Sequence, residues 1–537
     1  MRLLPCLVGC ALVAAPAPAQ QPTKTRFEIT VPTSVRAEPI TGRVFVMIAP
    51  DSVREPRLQI GRTGVPFFGR NIERLQPGRA AVIDGTDLGS PVESLAQLPA
   101  GEYYVQGFVN LYSEFRRADG HVVWMHDDQW EGQRLEVSPG NLYSRVQRVR
   151  LDPQAGYAVR LAADQVIPPI QVPPDNQWVK RFKLQSPTLT KFWGRPVYIG
   201  ATVLLPRDYD RQTMEYPVNY IQGHFSLAAP LGFQPRAGNA TYDQWIRDDF
   251  PRVLAVTFQH PTPYFDDSYA VNSVNGGPYG DAIIQELIPE IERRFRVIKQ
   301  SWARWLSGGS TGGWEALALQ IFYPDFFGGT WAYCPDPVTF SNVEGVNFYQ
   351  DQNAFYKQRG WYRVPTPNTR ETNGEIRLTS EQRNRYELVK GTRGRSGEQI
   401  DIWSAVWGPL GEDGYFKPAF NKRTGEIYPD VVQYWKEHFD LLYHLQRNWA
   451  TLAPKLVDKL HIYQGDMDNF YLNVAVKELE TWMKTTENPH YPGYFVYGDG
   501  YGHCFSGPGG ALARVRDMAE YGLRKKPEGT TTPWWRY

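Results

Sequence analysis

The stretch Gly308-Gly309-Ser310-Thr311-Gly312 has the form G-x-S-x-G, with a strand candidate ahead of it and a helical segment, 314–320, behind. A hydroxyl nucleophile carried at the tip of a strand-to-helix turn must hold strained backbone angles. The positions two before and two after it then crowd each other, which is why both are glycine. The helix N-terminus behind the turn favours developing negative charge. Ser310 is therefore the candidate nucleophile, and the first chemistry the chain suggests is acyl transfer.

A serine hydroxyl requires a base. Of nine histidines, His503 lies in the glycine-rich Gly498-Asp499-Gly500-Tyr501-Gly502-His503-Cys504, just after a late strand candidate, 493–497. A ring on such a loop can swing over the serine turn. His461 begins a strand and His438 and His444 lie in a helix, so each reads as structural, while His121, His126, His260 and His490 have no supporting context. A carboxylate must orient the imidazole and stabilise its charged form. The segment Gly465-Asp466-Met467-Asp468 follows a strand and offers two, of which Asp468 is preferred because the later residue of the turn points toward the histidine loop. Two amide donors must also face the tetrahedral oxygen. Thr311 N–H is one, and the loop Gly223-His224-Phe225 after an early strand supplies the other through the backbone of His224 or Phe225.

The elements that must position these groups come in two textures. Up to about residue 165, short strands alternate with Pro/Gly turns, as in Val44-Phe45-Val46-Met47-Ile48 and the period-two stretch 103–111, so residues 20–165 are expected to form an all-β, immunoglobulin-like sandwich. Four prolines within Ile167-Pro168-Pro169-Ile170-Gln171-Val172-Pro173-Pro174 mark a linker, 166–177. From 178 onward, strand candidates alternate with helices, notably 278–295 with Ile283, Ile284, Leu287, Ile288 and Ile291 at helical spacing, which implies a mainly parallel sheet covered by helices in an α/β domain, 178–537. Residues 337–458 are too long for a connection and read as a cap-like insertion. Its end, 432–449, places Val432, Trp435, Phe439, Leu442, Leu445 and Trp449 on one helical face.

The chain order Ser310, Asp468, His503 is that of α/β-hydrolases. Together with Tyr216-Pro217-Val218-Asn219-Tyr220-Ile221, Asn275-Gly276-Gly277-Pro278-Tyr279 and Glu286-Leu287-Ile288-Pro289-Glu290, the serine turn and the histidine loop make residues 178–525 resemble the secreted putative-esterase family, which includes esterase D, feruloyl esterase domains, enterochelin esterases and mycolyl transferases. The resemblance implies Ser310 as nucleophile, Asp468 as acid and His503 as base. Many members carry His-Gly after the early strand where this chain has Gly223-His224, which leaves the second oxyanion donor open between His224 and Phe225.

The N-terminal Arg2, the apolar run 3–15 and Ala17-Pro18-Ala19 match the parts of a secretory signal, residues 1–19. A lipoprotein box ending at Cys10 is the alternative. Export leaves Cys334 and Cys504, one after a strand and the other beside His503, both at the same sheet edge, so a disulfide between them is expected. With 58 Lys+Arg against 57 Asp+Glu, the chain lacks the basic excess of a nucleic-acid binder, and no stretch is long enough for a membrane span. No metal motif, dinucleotide fingerprint or P-loop appears, so no cofactor is expected. The insertion aromatics, among them Phe348, Tyr349, Phe355, Tyr356, Trp361, Tyr362, Trp403 and Trp407, read first as its core and second as a sugar or aryl surface. The expectation is an exported serine hydrolase of small-molecule or polysaccharide-linked aryl or sugar esters. An acyltransferase with a sugar acceptor, or a glycan-binding protein with an inactive hydrolase domain, are the alternatives.

Overall fold

The computed structural model describes residues 25–132 and 134–532. The signal-peptide and Cys10 readings fall outside these residues. The fold is mixed α/β.

The N-terminal region is strand-rich. Arg26–Thr30, Ala80–Asp84 and Ala158–Ala162 form a three-stranded sheet, and Gly101–Arg116 with Ile40–Ala49 and Phe67–Leu75 forms the middle of a second. Along Ile40–Ala49 the side chains alternate: Val44, Val46 and Ile48 meet Phe27 and Ile29 of the facing sheet, while Phe45 and Met47 turn the other way. Both faces are buried, because Tyr386 and Val389 of the later insertion cover the second one. That explains why Val44-Phe45-Val46-Met47-Ile48 is continuously apolar where a half-exposed strand would alternate. Between Val166 and Val179 no strand or helix forms.

A second eight-stranded sheet carries the candidate site. Its strands, in chain order, are β1 (Val179–Gln185), β2 (Tyr198–Leu204), β3 (Val218–Gln222), β4 (Leu254–Gln259), β5 (Arg304–Gly309), β6 (Gly329–Tyr333), β7 (Leu460–Gly465) and β8 (Tyr494–Gly498). They lie in the order β1-β2-β4-β3-β5-β6-β7-β8. Strand β2 runs antiparallel to both neighbours, and the six from β4 to β8 are parallel. The carboxyl ends of β3, β5, β6, β7 and β8 therefore point to one edge, where ligands collect in sheets of this kind. The helix expected at 278–295 runs from Tyr279 to Arg294 and contains one wider, π-type turn at Ile283–Leu287.

Residues 337–458 lie between β6 and β7 and hold two hairpins and four helices, including α2 (Ser380–Lys390) and α3 (Gln399–Trp407). The helix expected at 432–449 is two, Pro429–Phe439 and Leu441–Leu456. Asp440 breaks it, because its carboxylate accepts from the amide of Tyr443 at 2.7 Å as an N-cap and from Phe340 N–H at 2.8 Å. Most of the insertion aromatics are core: Trp403, Trp407 and Trp435 pack with Phe340, Trp314 and Tyr269 in the same hydrophobic cluster as the sheet. Trp361 and Tyr362 are the exceptions, 98% and 75% exposed.

A buried ion network fastens the insertion. Glu398 accepts from Lys390 Nζ at 2.7 Å and from Arg383 Nη1 at 3.2 Å, and Glu387 pairs with Arg383 at 3.1 Å and with Lys422 at 2.6 Å. Burial opposes the charge of Glu398, but Lys390, Arg383 and Arg62 outweigh it and hold this carboxyl far below its ordinary 4.5. Removing one member strands buried charges, at a cost of about 3–5 kcal/mol. Glu398→Ala is thus expected to lower the urea-unfolding free energy by about that amount at pH 7. A depressed carboxyl stabilises above its unfolded pKa and loses that contribution as pH falls. Below about pH 4.5 wild type should lose stability that Glu398→Gln never had, so the two unfolding midpoints converge.

Candidate active site

Strand β5 ends at Gly309 and helix α1 (Thr311–Phe322) begins two residues on, leaving Ser310 alone at the turn with φ 57° and ψ −123°. Three chain segments meet here. A Cβ on Gly308 would lie 2.3 Å from the carbonyl oxygen of Gly312, and one on Gly312 would lie 2.1 Å from that of Gln222 at the end of β3. Ser310 N–H donates to Tyr333 O of β6 at 3.0 Å, so both flanking strands fix the turn. The amide of Thr311 is the first of the helix and has no acceptor within it.

On one side stand His503 and Asp468. Asp468 is fully buried. Its Oδ1 accepts from Phe470 N–H at 2.8 Å, and its Oδ2 accepts from Gln464 Nε2 at 3.2 Å and contacts His503 Nδ1 at 2.9 Å. Asp466, the other candidate, accepts instead from Gly500 N–H at 2.8 Å and closes the loop. Asn469 Oδ1 holds the amide of His503 at 2.9 Å. The ring of Phe470 packs edge-on against His503, centroids 4.8 Å apart, and Arg62 of the N-terminal region lies over Phe470. Burial works against the imidazolium, yet the hydrogen bond it donates to Asp468 and the neighbouring Cys504 sulfur raise His503 to about 10.

Cys334 and Cys504 are two thiols in contact, Sγ to Sγ 2.7 Å, and not the disulfide expected from the sequence. That separation exceeds the ~2.05 Å of a sulfur–sulfur bond. The contact with Cys334, partly opposed by burial and assisted by His503, lowers Cys504 to about 6.

The other side of Ser310 holds groups that sequence reasoning missed. Ser310 Oγ donates to Asp336 Oδ1 at 3.3 Å, and among the described residues no hydrogen bond joins it to His503. Asp336 Oδ2 accepts from Tyr269 Oη at 2.6 Å, Thr311 Oγ1 at 3.0 Å, Gln399 Nε2 at 3.2 Å and Trp403 Nε1 at 3.3 Å. Burial raises this carboxyl against the pull of those donors. His224 is engaged through its side chain: Nε2 contacts Thr311 Oγ1 at 3.1 Å, and Nδ1 faces Asp266 Oδ2 at 3.1 Å. Burial opposes its charge, but Asp266 and Asp267 outweigh it and raise His224 to about 10. The ring of Phe225 instead packs edge-on against Trp130. The missed residues had one legible signal: Asp266, Asp267 and Asp336 all follow strands whose carboxyl ends form the site edge.

Two trios bring potential metal-ligating atoms within 4.8 Å of one another: His260, Asp267 and Glu315, and Cys334, His503 and Cys504. In the first, burial and the neighbouring Asp267 push the Glu315 carboxyl well above the ordinary carboxylate range. In the second, His503 is taken by Asp468 and the thiols by each other. Beside His224 opens a polar cavity of about 240 Å³, lined by Arg62, Glu136, Lys390, Glu398 and Gln399 among others.

A family described as Putative esterase matches residues 197–490, more than half of the chain, and the chain belongs to that family. Among solved structures it is similar to a ferulic acid esterase, at 16% identity over 60% of this chain and 90% of that one, with a TM-score of 0.36. It is also similar to an S-formylglutathione hydrolase from Agrobacterium tumefaciens, at 12% identity over 64% and 95% of the two chains, TM-score 0.32. The Staphylococcus aureus fluorophosphonate-binding serine hydrolase F is similar at 14% identity over 64% and 98%, TM-score 0.33. No curated protein matches. Membership of this family supports ester hydrolysis.

Cys504 stabilises the charged form of His503, so replacing it should lower the histidine's pKa. A base works only when neutral. The acid limb of the kcat/KM profile for ester cleavage is therefore expected to move to lower pH in Cys504→Ala, and an unmoved limb would separate the sulfur from the histidine's titration.

Proposed function

We propose that the protein is an exported serine hydrolase of carboxylic esters, with Ser310 as nucleophile, His503 as base and Asp468 as the group that orients and charges the imidazole. The observation that supports this most is the 2.9 Å contact of a fully buried Asp468 with His503 Nδ1, on a loop whose next residue, Cys504, reaches to within 3.2 Å of a Cβ position on Gly309. With Nδ1 tied to Asp468, Nε2 is left to take a proton. The serine hydroxyl turns from Asp336 to His503 as substrate enters, attacks the carbonyl carbon and passes its proton to the ring. The ring returns that proton to the leaving alcohol, and water then releases the acid by the reverse sequence. Charge that gathers on the carbonyl oxygen meets the Thr311 amide and a second amide of the Gly223-His224-Phe225 loop, with the His224 imidazolium close by.

In this reading residues 1–19 are a secretion signal, and the N-terminal strands are an immunoglobulin-like sandwich that closes one wall of the site through Arg62. Aryl or sugar esters are the substrates, and the mixed-sign, polar cavity beside His224 suits hydroxyl-rich groups.

Ser310→Ala should abolish labelling by a fluorophosphonate probe and lower 4-nitrophenyl acetate turnover by at least about a thousandfold while the fold is kept. Asp468→Asn should cost roughly 10³–10⁴-fold. Labelling that persists in Ser310→Ala would remove the assignment.

A further inference from the structure

We propose that Asp336 forms an acyl subsite that selects esters carrying an O–H or N–H donor on the carbon next to the scissile carbonyl, that is, esters of α-hydroxy or α-amino acids. This rests on Ser310 being the nucleophile.

Asp336 is 3% exposed and its two oxygens are used unequally. Oδ2 is saturated: Tyr269, Thr311, Gln399 and Trp403 all donate to it. Oδ1 has the hydroxyl of Ser310 at 3.3 Å as its donor. The backbone holds the carboxyl in place as well, since Asp336 N–H donates to Ser310 O at 3.1 Å. When Ser310 turns its proton toward His503 for attack, Oδ1 loses that donor while Asp336 stays packed among the buried Tyr269, Trp403 and Thr311. A buried acceptor left without a partner is unfavourable, so the reactive arrangement is favoured when substrate supplies a donor.

Geometry decides which part of the substrate can do so. The leaving oxygen must face His503, which returns a proton to it, and the acyl group then points away from His503 toward the wall of Asp336, Tyr269 and Trp403. In a near-attack arrangement the carbonyl carbon sits ~3–3.5 Å from Ser310 Oγ. A substituent on the adjacent carbon then falls within hydrogen-bond reach of Oδ1, which is itself 3.3 Å from Oγ. A plain acetyl group leaves Oδ1 bare. The charges nearby point the same way. Asp266 and Asp267 face the His224 imidazole at 3.1 and 3.4 Å, while Arg62 and Lys390 across the adjoining cavity are paired with Glu398, so an added ammonium beside Asp336 meets carboxylates. No covalent step beyond ester cleavage is involved. Asp336 exchanges no proton with the substrate.

The test compares phenyl acetate, phenyl chloroacetate, phenyl glycolate and phenyl glycinate, each kcat/KM divided by the rate of its hydroxide-catalysed hydrolysis. The chloro ester matches the electron withdrawal of the donors without offering a proton. The glycolyl and glycyl esters should exceed both others by at least about tenfold, the glycyl ester leading where an ionised carboxylate recognises an ammonium and the glycolyl ester leading where a hydroxyl suffices. In Asp336→Asn the glycyl advantage should collapse, with a circular dichroism spectrum and melting temperature like those of wild type showing that the variant is folded. Equal normalised values for all four esters in wild type would overturn the subsite while leaving the hydrolase reading intact. Absence of both turnover and labelling at Ser310 would overturn both. The wild-type series stands without the variant, so misfolding of Asp336→Asn does not shield the proposal.

Discussion

The site depends on how closely three chain segments approach at the carboxyl end of β5. Gly308 faces the carbonyl of Gly312, and Gly312 faces that of Gln222, at separations that no Cβ tolerates. Only this contact lets α1 start directly against the sheet, and only then does Ser310 stand free at φ 57°. The strain is offset by neighbours: β3 and β6 flank the turn, the Ser310 amide is anchored to Tyr333, and α1 is buried along almost its whole length. A single methyl group at either glycine would push apart the segments that carry Ser310 and the Gly223-His224-Phe225 loop.

Around that turn the fold places carboxylates on both sides of the serine and gives them different environments. Asp468 is surrounded by donors and faces the Nδ1 of His503. Asp336 and Glu315 are pushed upward by burial, and the cation on their side, His224, is shared with Asp266 and Asp267. The same residue type thus meets a histidine in one place and a wall of hydroxyl, amide and indole donors in the other. The insertion takes part in this asymmetry. Helix α3 brings Gln399 and Trp403 onto Asp336, and its own position is fixed by the ion network through Glu398 and by the packing of Trp407.

Sequence reasoning reached the parts of the site that follow from local pattern. Ser310, His503 and the Asp466/Asp468 turn stand out because each sits where a strand gives way to a tight turn or glycine-rich loop at the edge of a parallel sheet, and the structure sets Asp468 against His503 and Asp466 against the Gly500 amide. What stayed hidden depends on long-range packing. Asp336, Tyr269 and Gln399 lie far apart in the chain and meet only because β4, β6 and the insertion converge on one edge. The continuous apolar run Val44-Phe45-Val46-Met47-Ile48 reads as a strand, but that Tyr386 and Val389 cover its second face is invisible locally. The break at Asp440 was overridden in the periodicity by the apolar stripe on both sides of it, although an aspartate before a helical turn is a cap signal. Cys334 and Cys504 meet, but as two thiols without the expected bond.

Passage of an acyl group through Ser310 is read directly by rapid quenching of the enzyme with 4-nitrophenyl acetate, followed by peptide mapping. A burst of one nitrophenol per protein and an acetyl group on the peptide that carries Ser310 are expected. An acetyl group found instead on the thiol of Cys504, with the Ser310 peptide unmodified, would overturn Ser310 as the nucleophile.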